Sequence, residues 1–121
     1  MDVKIYPSKL IGTVSAPSSK SYSHRMIIAA ALADGVSEIS NVTDSNDINV
    51  TSQAMEALGA SVLSDNGVYT VRGIRTPAEK AEIDCGESGS TLRFIIPVAA
   101  ALGTTATLNG HAKLPRSEEV V

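Results

Sequence analysis

Aromatic side chains are nearly missing from this sequence: among 121 residues there are three tyrosines, one phenylalanine and no tryptophan. A core must then be built from Ala, Val, Ile and Leu, which suits close packing of helices on sheets. Cysteine is scarcer still. Cys85 stands alone, which excludes an internal disulfide and argues against a Cys-based zinc site. No apolar run reaches membrane-spanning length, and Met1–Leu10 lacks an apolar signal core. The expectation is a cytoplasmic chain with no membrane partner, by default rather than by a positive signal. Nor is there a run of Lys and Arg; the formal charge is −3, which argues against nucleic acid as a partner. What is present is ordinary for a folded domain: 43% hydrophobic and 19% charged residues, in a length that allows one moderate core.

Three helical stretches stand out. The first runs from about Ser19 to Ala33, with Ile27, Ala30 and Ala31 at i, i+3 and i+4 and Gly35 beyond its end. The second has Asp44 as a candidate N-cap, Asp47 in its first turn, a stripe of Ile48, Met55 and Leu58, and Gly59 as its stop. The third opens near Ser88 or Ser90, continues through Leu92, Ile95, Ile96 and Ala99, and ends before Gly103. Pro97 inside it predicts a kink or an early break. Strands are expected at Val36–Val42, Ala60–Ser64, Val68–Arg72, Ala81–Cys85 and Thr104–Asn109, and another from residue 12 to Pro17. Asp65-Asn66-Gly67 reads as the turn of a hairpin.

That order conceals a repeat. Arg25 and Arg93 are 68 residues apart, as are Gly35 and Gly103, and Asn41 and Asn109. In each copy an Arg sits one turn into a helix, a Gly follows the helix, and an Asn ends the next strand. The implied fold class is α/β (α+β), with a duplicated βαβαββ unit whose second copy stops at Val121 before it is complete.

Two segments could carry chemistry. In Pro17-Ser18-Ser19-Lys20-Ser21-Tyr22-Ser23-His24-Arg25, serines cap a helix whose free N–H groups and partial positive charge favour an anion. Lys20 adds a full charge at the mouth, and Ser21 and Arg25, four apart, can grip a carboxylate together. The glycines of a Walker loop are absent. In Asp84-Cys85-Gly86-Glu87-Ser88-Gly89-Ser90-Thr91-Leu92-Arg93, two glycines and two serines make a second anion-receptive helix start, with Arg93 placed as Arg25 is. Gly89 would let a ligand approach the backbone closely. The bland alternative for each is an ordinary serine cap followed by solvated cations. His24 and His111 have no partner at metal-ligand spacing and read as surface or capping residues. Cys85 reads as a small apolar residue at a strand end, and Asp44 and Asp47 as structural caps.

Together these residues resemble the EPSP synthase family, the 3-phosphoshikimate 1-carboxyvinyltransferases. The family's early signature, a Pro, small residues, then Lys-Ser-x-x-x-Arg opening a helix, is matched by Pro17 to Arg25 without a gap. Its Asp-rich helix start is matched by Asp44-Ser45-Asn46-Asp47. Its Gly-Asn-(Ala/Ser)-Gly-Thr-x-x-Arg loop is matched by Gly86 to Arg93, with Glu87 where many members carry Asn. The family's following basic segment ends in Arg-Pro; here it reads His111-Ala112-Lys113-Leu114-Pro115-Arg116, followed by Ser117.

The resemblance implies transfer of the enolpyruvyl group of phosphoenolpyruvate to the 5-hydroxyl of shikimate 3-phosphate, with no metal or organic cofactor. It implies that Lys20 contacts phosphoenolpyruvate near the reacting centre, and that Ser21 and Arg25 hold the shikimate carboxylate. The Gly89 backbone and Arg116 would help bind phosphoenolpyruvate, with Arg93 supporting the loop. The implied fold is that of the enolpyruvyl transferases, two domains of three βαβαββ units each. On that plan residues 1–12 are a strand region shared with the other domain, residues 13–75 the first unit, and residues 76–121 part of the second. The chain then reads as an amino-terminal fragment, inactive alone, whose partner is the rest of the enzyme. Two alternatives stand beside this reading. One is the UDP-N-acetylglucosamine enolpyruvyl transferase, whose motif has Lys-Asn in place of Lys20-Ser21; the other is a non-catalytic repeat domain that binds phosphorylated metabolites.

Overall fold

A two-residue turn sets the first layer. Asn66 and Gly67 both take positive φ, +47° and +75°, the combination that lets a tight hairpin follow the twist of its strands. In the computed structural model, which describes residues 1–111, this turn joins β2 (Ser61–Asp65) to β3 (Val68–Arg72), with Asp65 opposite Val68. On the other side of β3 lies β1 (Val36–Ile39), also antiparallel, so the sheet order is β1-β3-β2. Tyr69 and Val71 alternate with more exposed neighbours along β3 and point their side chains into the core.

That face is covered by α1 (Lys20–Leu32) and α2 (Asn46–Leu58), through Ile27, Ala30 and Ala31 on one and Ile48, Ala54, Met55 and Leu58 on the other. The alanines let the helices come close where larger residues would hold them apart. A second, two-stranded sheet pairs β4 (Lys80–Asp84) in parallel with β5 (Thr105–Asn109), and α3 (Gly89–Leu102) makes the crossover between them. Because α2 packs against α1 and β2 and also against β4 and α3, one apolar cluster runs through both sheets.

Helix boundaries follow the caps. Ser19, Ser45 and Ser88 each accept a hydrogen bond from a backbone N–H in the first turn of their helix. Ser45, not the expected Asp44, caps α2; Asp44 instead accepts a hydrogen bond from the Asn49 side chain at 2.9 Å. Gly59 and Gly103 end α2 and α3 in the left-handed conformation. Pro97 does not break α3, which continues to Leu102. Its missing N–H leaves the Arg93 carbonyl without the usual helical donor, and the burial of Ile95 and Ala99 holds the helix together across that gap.

One expected element is not there. Residues 1–18 form neither helix nor strand, so the strand expected from residue 12 is not formed, and Val3, Ile5, Leu10, Ile11 and Val14 are exposed. β1 is also shorter than expected, ending at Ile39 rather than Val42.

Candidate active site

The α1 start is tied down from two directions. Ser19 accepts from the Tyr22 N–H at 3.3 Å, and the Ser23 hydroxyl donates to the Ser19 carbonyl at 2.9 Å. Ser18 bonds the Thr43 hydroxyl and accepts from the Thr43 N–H at 3.1 Å, which fastens the approach to α1 onto the approach to α2. Lys20, Ser21 and Arg25 remain exposed on this framework. Ser21 and Arg25 share one face as their spacing requires: Arg25 Nη1 donates to the Ser21 carbonyl at 3.0 Å, and the guanidinium stands 5.2 Å from the centroid of the Phe94 ring on α3.

Asp47 does more than its expected structural part. Its Oδ2 lies 2.6 Å from Lys20 Nζ, so the first turn of α2 holds the cation at the mouth of α1. The pair is half-open to solvent, with side chains 58% and 31% exposed, and an incoming anion would compete with water as much as with the carboxylate.

The α3 start is built on a bend. Gly86 has φ +53°, and its N–H donates to Asp84 Oδ1 at 2.8 Å. The Ser88 N–H reaches the Cys85 carbonyl, and the His111 N–H reaches the Gly86 carbonyl. The Gly86 N–H, first, and then the His111 ring, 3.2 Å away, hold the Asp84 carboxyl below its ordinary value. Cys85 is fully buried; burial, and secondarily the Asp84 charge, pushes its thiol up, away from nucleophile chemistry and in keeping with a packing role. Gly89 is half-buried as the first residue of α3, and Arg93 is exposed one turn on. Arg116 lies outside the described residues.

His24 corrects the sequence reading outright. The sequence reads it as a surface or capping residue, and it is 1% exposed. Its Nδ1 is 2.7 Å from Thr51 Oγ1, which is 2.7 Å from Thr91 Oγ1, which is in turn 2.7 Å from Ser88 Oγ. Burial lowers the affinity of the imidazole for a proton; Asp47 opposes that, and Lys20 and Arg25 reinforce it. The sequence does carry a signal for this burial. His24 precedes Ile27 by three residues and Ala31 by seven, which is the buried stripe of α1, and Thr51 lies between Ile48 and Met55 on the stripe of α2.

These contacts tie the N-terminal halves of three helices together: α1 onto α2 through Lys20 and Asp47, and α2 onto α3 through Thr51 and Thr91. Serine-capped starts with exposed cations make this an anion-receptive face of a mixed helix-and-strand fold. Among the described residues no group of three or more His, Cys, Asp and Glu could hold a metal ion, and no helix is long and apolar enough to cross a membrane.

The comparisons are specific. The model of the EPSP synthase (3-phosphoshikimate 1-carboxyvinyltransferase) family matches residues 5–116, and the chain belongs to that family. It is 48% identical to the 3-phosphoshikimate 1-carboxyvinyltransferase of Clostridium beijerinckii over 121 residues, covering 93% of this chain and 28% of the relative. Against that of Clostridium kluyveri the identity is 44%, covering 93% and 26%. The solved EPSP synthase from Acinetobacter baumannii superposes with a TM-score of 0.67 at 27% identity, over 84% of this chain and 24% of that one. The fold is therefore that of EPSP synthase, an enolpyruvyl transferase fold, and the chain spans about a quarter of the length of the relatives it matches.

Proposed function

We propose that this segment forms one wall of an active site that transfers the enolpyruvyl group of phosphoenolpyruvate to the 5-hydroxyl of shikimate 3-phosphate. The observation that carries the reading is the exposed Lys20-Ser21-Arg25 group on a serine-capped helix start, joined through Thr51 of α2 to a second such start at Gly89. Both substrates are multiply anionic, and preset cations and helix N–H groups bind them without reorganising at the moment of reaction. Lys20 is assigned to phosphoenolpyruvate near the reacting centre, where a fixed positive charge favours the build-up of negative charge. Ser21 and Arg25 are assigned to the shikimate carboxylate, and the Gly89 backbone and Arg116 to phosphoenolpyruvate, with Arg93 supporting the loop. No metal or organic cofactor enters this scheme.

On this reading residues 1–12 contribute to the second domain, residues 13–75 and 76–121 belong to successive βαβαββ units, and the acid–base groups and opposite wall come from the rest of a cytoplasmic enzyme. The test is phosphate release by the full-length polypeptide, which must require both substrates. Lys20→Ala should cut turnover by about a hundredfold and leave the thermal midpoint unchanged, since the lysine is exposed. Near-parental kinetics in that variant would make Lys20 an ordinary surface lysine. The 121-residue chain alone should release no phosphate above background, because half a cleft lacks the second set of groups.

A further inference from the structure

Four side chains to which the proposed chemistry assigns no part form a buried line from α1 to the start of α3. They are His24, Thr51, Thr91 and Ser88, joined by three contacts of 2.7 Å, and none is more than 3% exposed. The hydroxyls and imidazole can satisfy the line in either direction. If Nδ1 accepts, Thr51, Thr91 and Ser88 donate in turn toward His24. If Nδ1 donates, the order reverses and the Ser88 hydroxyl proton is left to point outward at the helix start. In both cases His24 Nε2 is buried with no hydrogen-bond partner among the described residues. An unpaired buried nitrogen costs stability, and a leucine there would carry no such cost. Fold stability alone does not account for a histidine in this place.

What the line connects does. At one end His24 is next to Arg25 and one turn from Lys20; at the other, Ser88 caps α3 next to Gly89. Phe94 makes a second link, its ring edge-on to His24 at 6.4 Å and under the Arg25 guanidinium at 5.2 Å. We propose that His24 is a positioning residue: through Thr51 and Thr91 it holds the start of α3, with its Ser88 hydroxyl and Gly89 backbone, in register with the Lys20-Ser21-Arg25 start of α1. The inference rests on the reading of those two helix starts as parts of one anionic-substrate site. His24 acts through its neighbours, so its loss should weaken joint capture of the two substrates.

Three variants of the full-length polypeptide test this. His24→Leu removes the first member of the line, His24→Asn keeps a polar atom where Nδ1 stands, and Thr51→Val breaks the line midway at nearly constant volume. His24→Leu and Thr51→Val should each lower kcat/KM about tenfold, with His24→Asn within about threefold of the parent. The double variant His24→Leu/Thr51→Val should lose no more than either single one, because a severed line cannot be severed twice. Losses that add, or a His24→Asn enzyme no better than His24→Leu, would overturn the proposal. Should the parent itself release no phosphate, the transferase reading falls, and amide hydrogen exchange decides the positioning claim independently. Protection at Thr91 and Leu92 lost in His24→Leu and kept in His24→Asn supports it, and parental protection in both sinks it.

Discussion

Lys20 Nζ and Asp47 Oδ2 stand 2.6 Å apart across 27 residues of sequence, so the cation at the mouth of α1 is partly neutralised before any ligand arrives. Asp47→Asn removes the negative charge at nearly constant shape. Because the pair is open to solvent, folding should be little affected. Affinity of the 121-residue chain for inorganic phosphate should rise severalfold, read by isothermal titration. An unchanged or weaker affinity would mean that anions do not settle beside Lys20.

Arg25 separates a substrate arginine from a solvated one. Its guanidinium is already oriented by the Ser21 carbonyl and the Phe94 ring, which leaves a planar fork displayed at the surface. A lysine cannot offer a carboxylate two parallel hydrogen bonds. In the full-length polypeptide Arg25→Lys should raise the Michaelis constant for shikimate 3-phosphate about tenfold, equivalent to about 1.4 kcal/mol. The constant for phosphoenolpyruvate should move less. The opposite pattern would exchange the ligands assigned to the two helix starts.

Buried His24 predicts a pH dependence of stability. Its proton affinity is lowered in the fold, chiefly by burial. As pH falls through the ordinary histidine value of about 6.5, the unfolded chain takes up a proton that the native state still refuses. The unfolded state then binds more protons, so stability is retained above that value and lost below it. The thermal midpoint should decline as pH falls below about 6.5, and the decline should be smaller in His24→Leu. Equal slopes in parent and variant would show that His24 protonates freely in the fold. Asp84 acts in a separate window: its carboxyl is held low in the native state, so its contribution is lost only as pH falls below the carboxylate range of about 4.

Gly73 is where the β3 end meets the α1 end. Its N–H donates to the Gly35 carbonyl, the next N–H donates to that of Ala31, and a Cβ at Gly73 would stand 1.7 Å from the Ala33 carbonyl oxygen. Only backbone movement could relieve that contact. Gly73→Ala should cost about 3 kcal/mol and lower the thermal midpoint of the chain by about 10 °C or more. A midpoint within a degree or two of the parent would show that the helix end gives way easily.

Much of this structure depends on neighbours only a few residues away. Among the described residues three helices and five strands appear close to where apolar periodicity, caps and stop glycines put them, with the α2 cap one residue on at Ser45 rather than Asp44, and β3 has its expected ends at Val68 and Arg72. The hairpin turn was legible because Asn66-Gly67 accepts positive φ more readily than other pairs. The Pro17-to-Arg25 motif was legible in the same local way, since Ser21 and Arg25 need only one helical turn to meet.

By itself the sequence determined these elements, the two serine-capped helix starts, and membership of a family whose motifs it carries in order. Tertiary structure alone decided that His24 is buried, that Asp47 holds Lys20, and that Thr51 meets Thr91 across 40 residues. It also left unformed the strand expected from residue 12 to Pro17. The reason is the range of the forces involved. Caps, turns and periodicity are settled within a turn or two of backbone, whereas burial and long-range pairing depend on which helix faces are pressed together, and that is fixed only when the shared core around Ile27, Met55 and Ile95 closes.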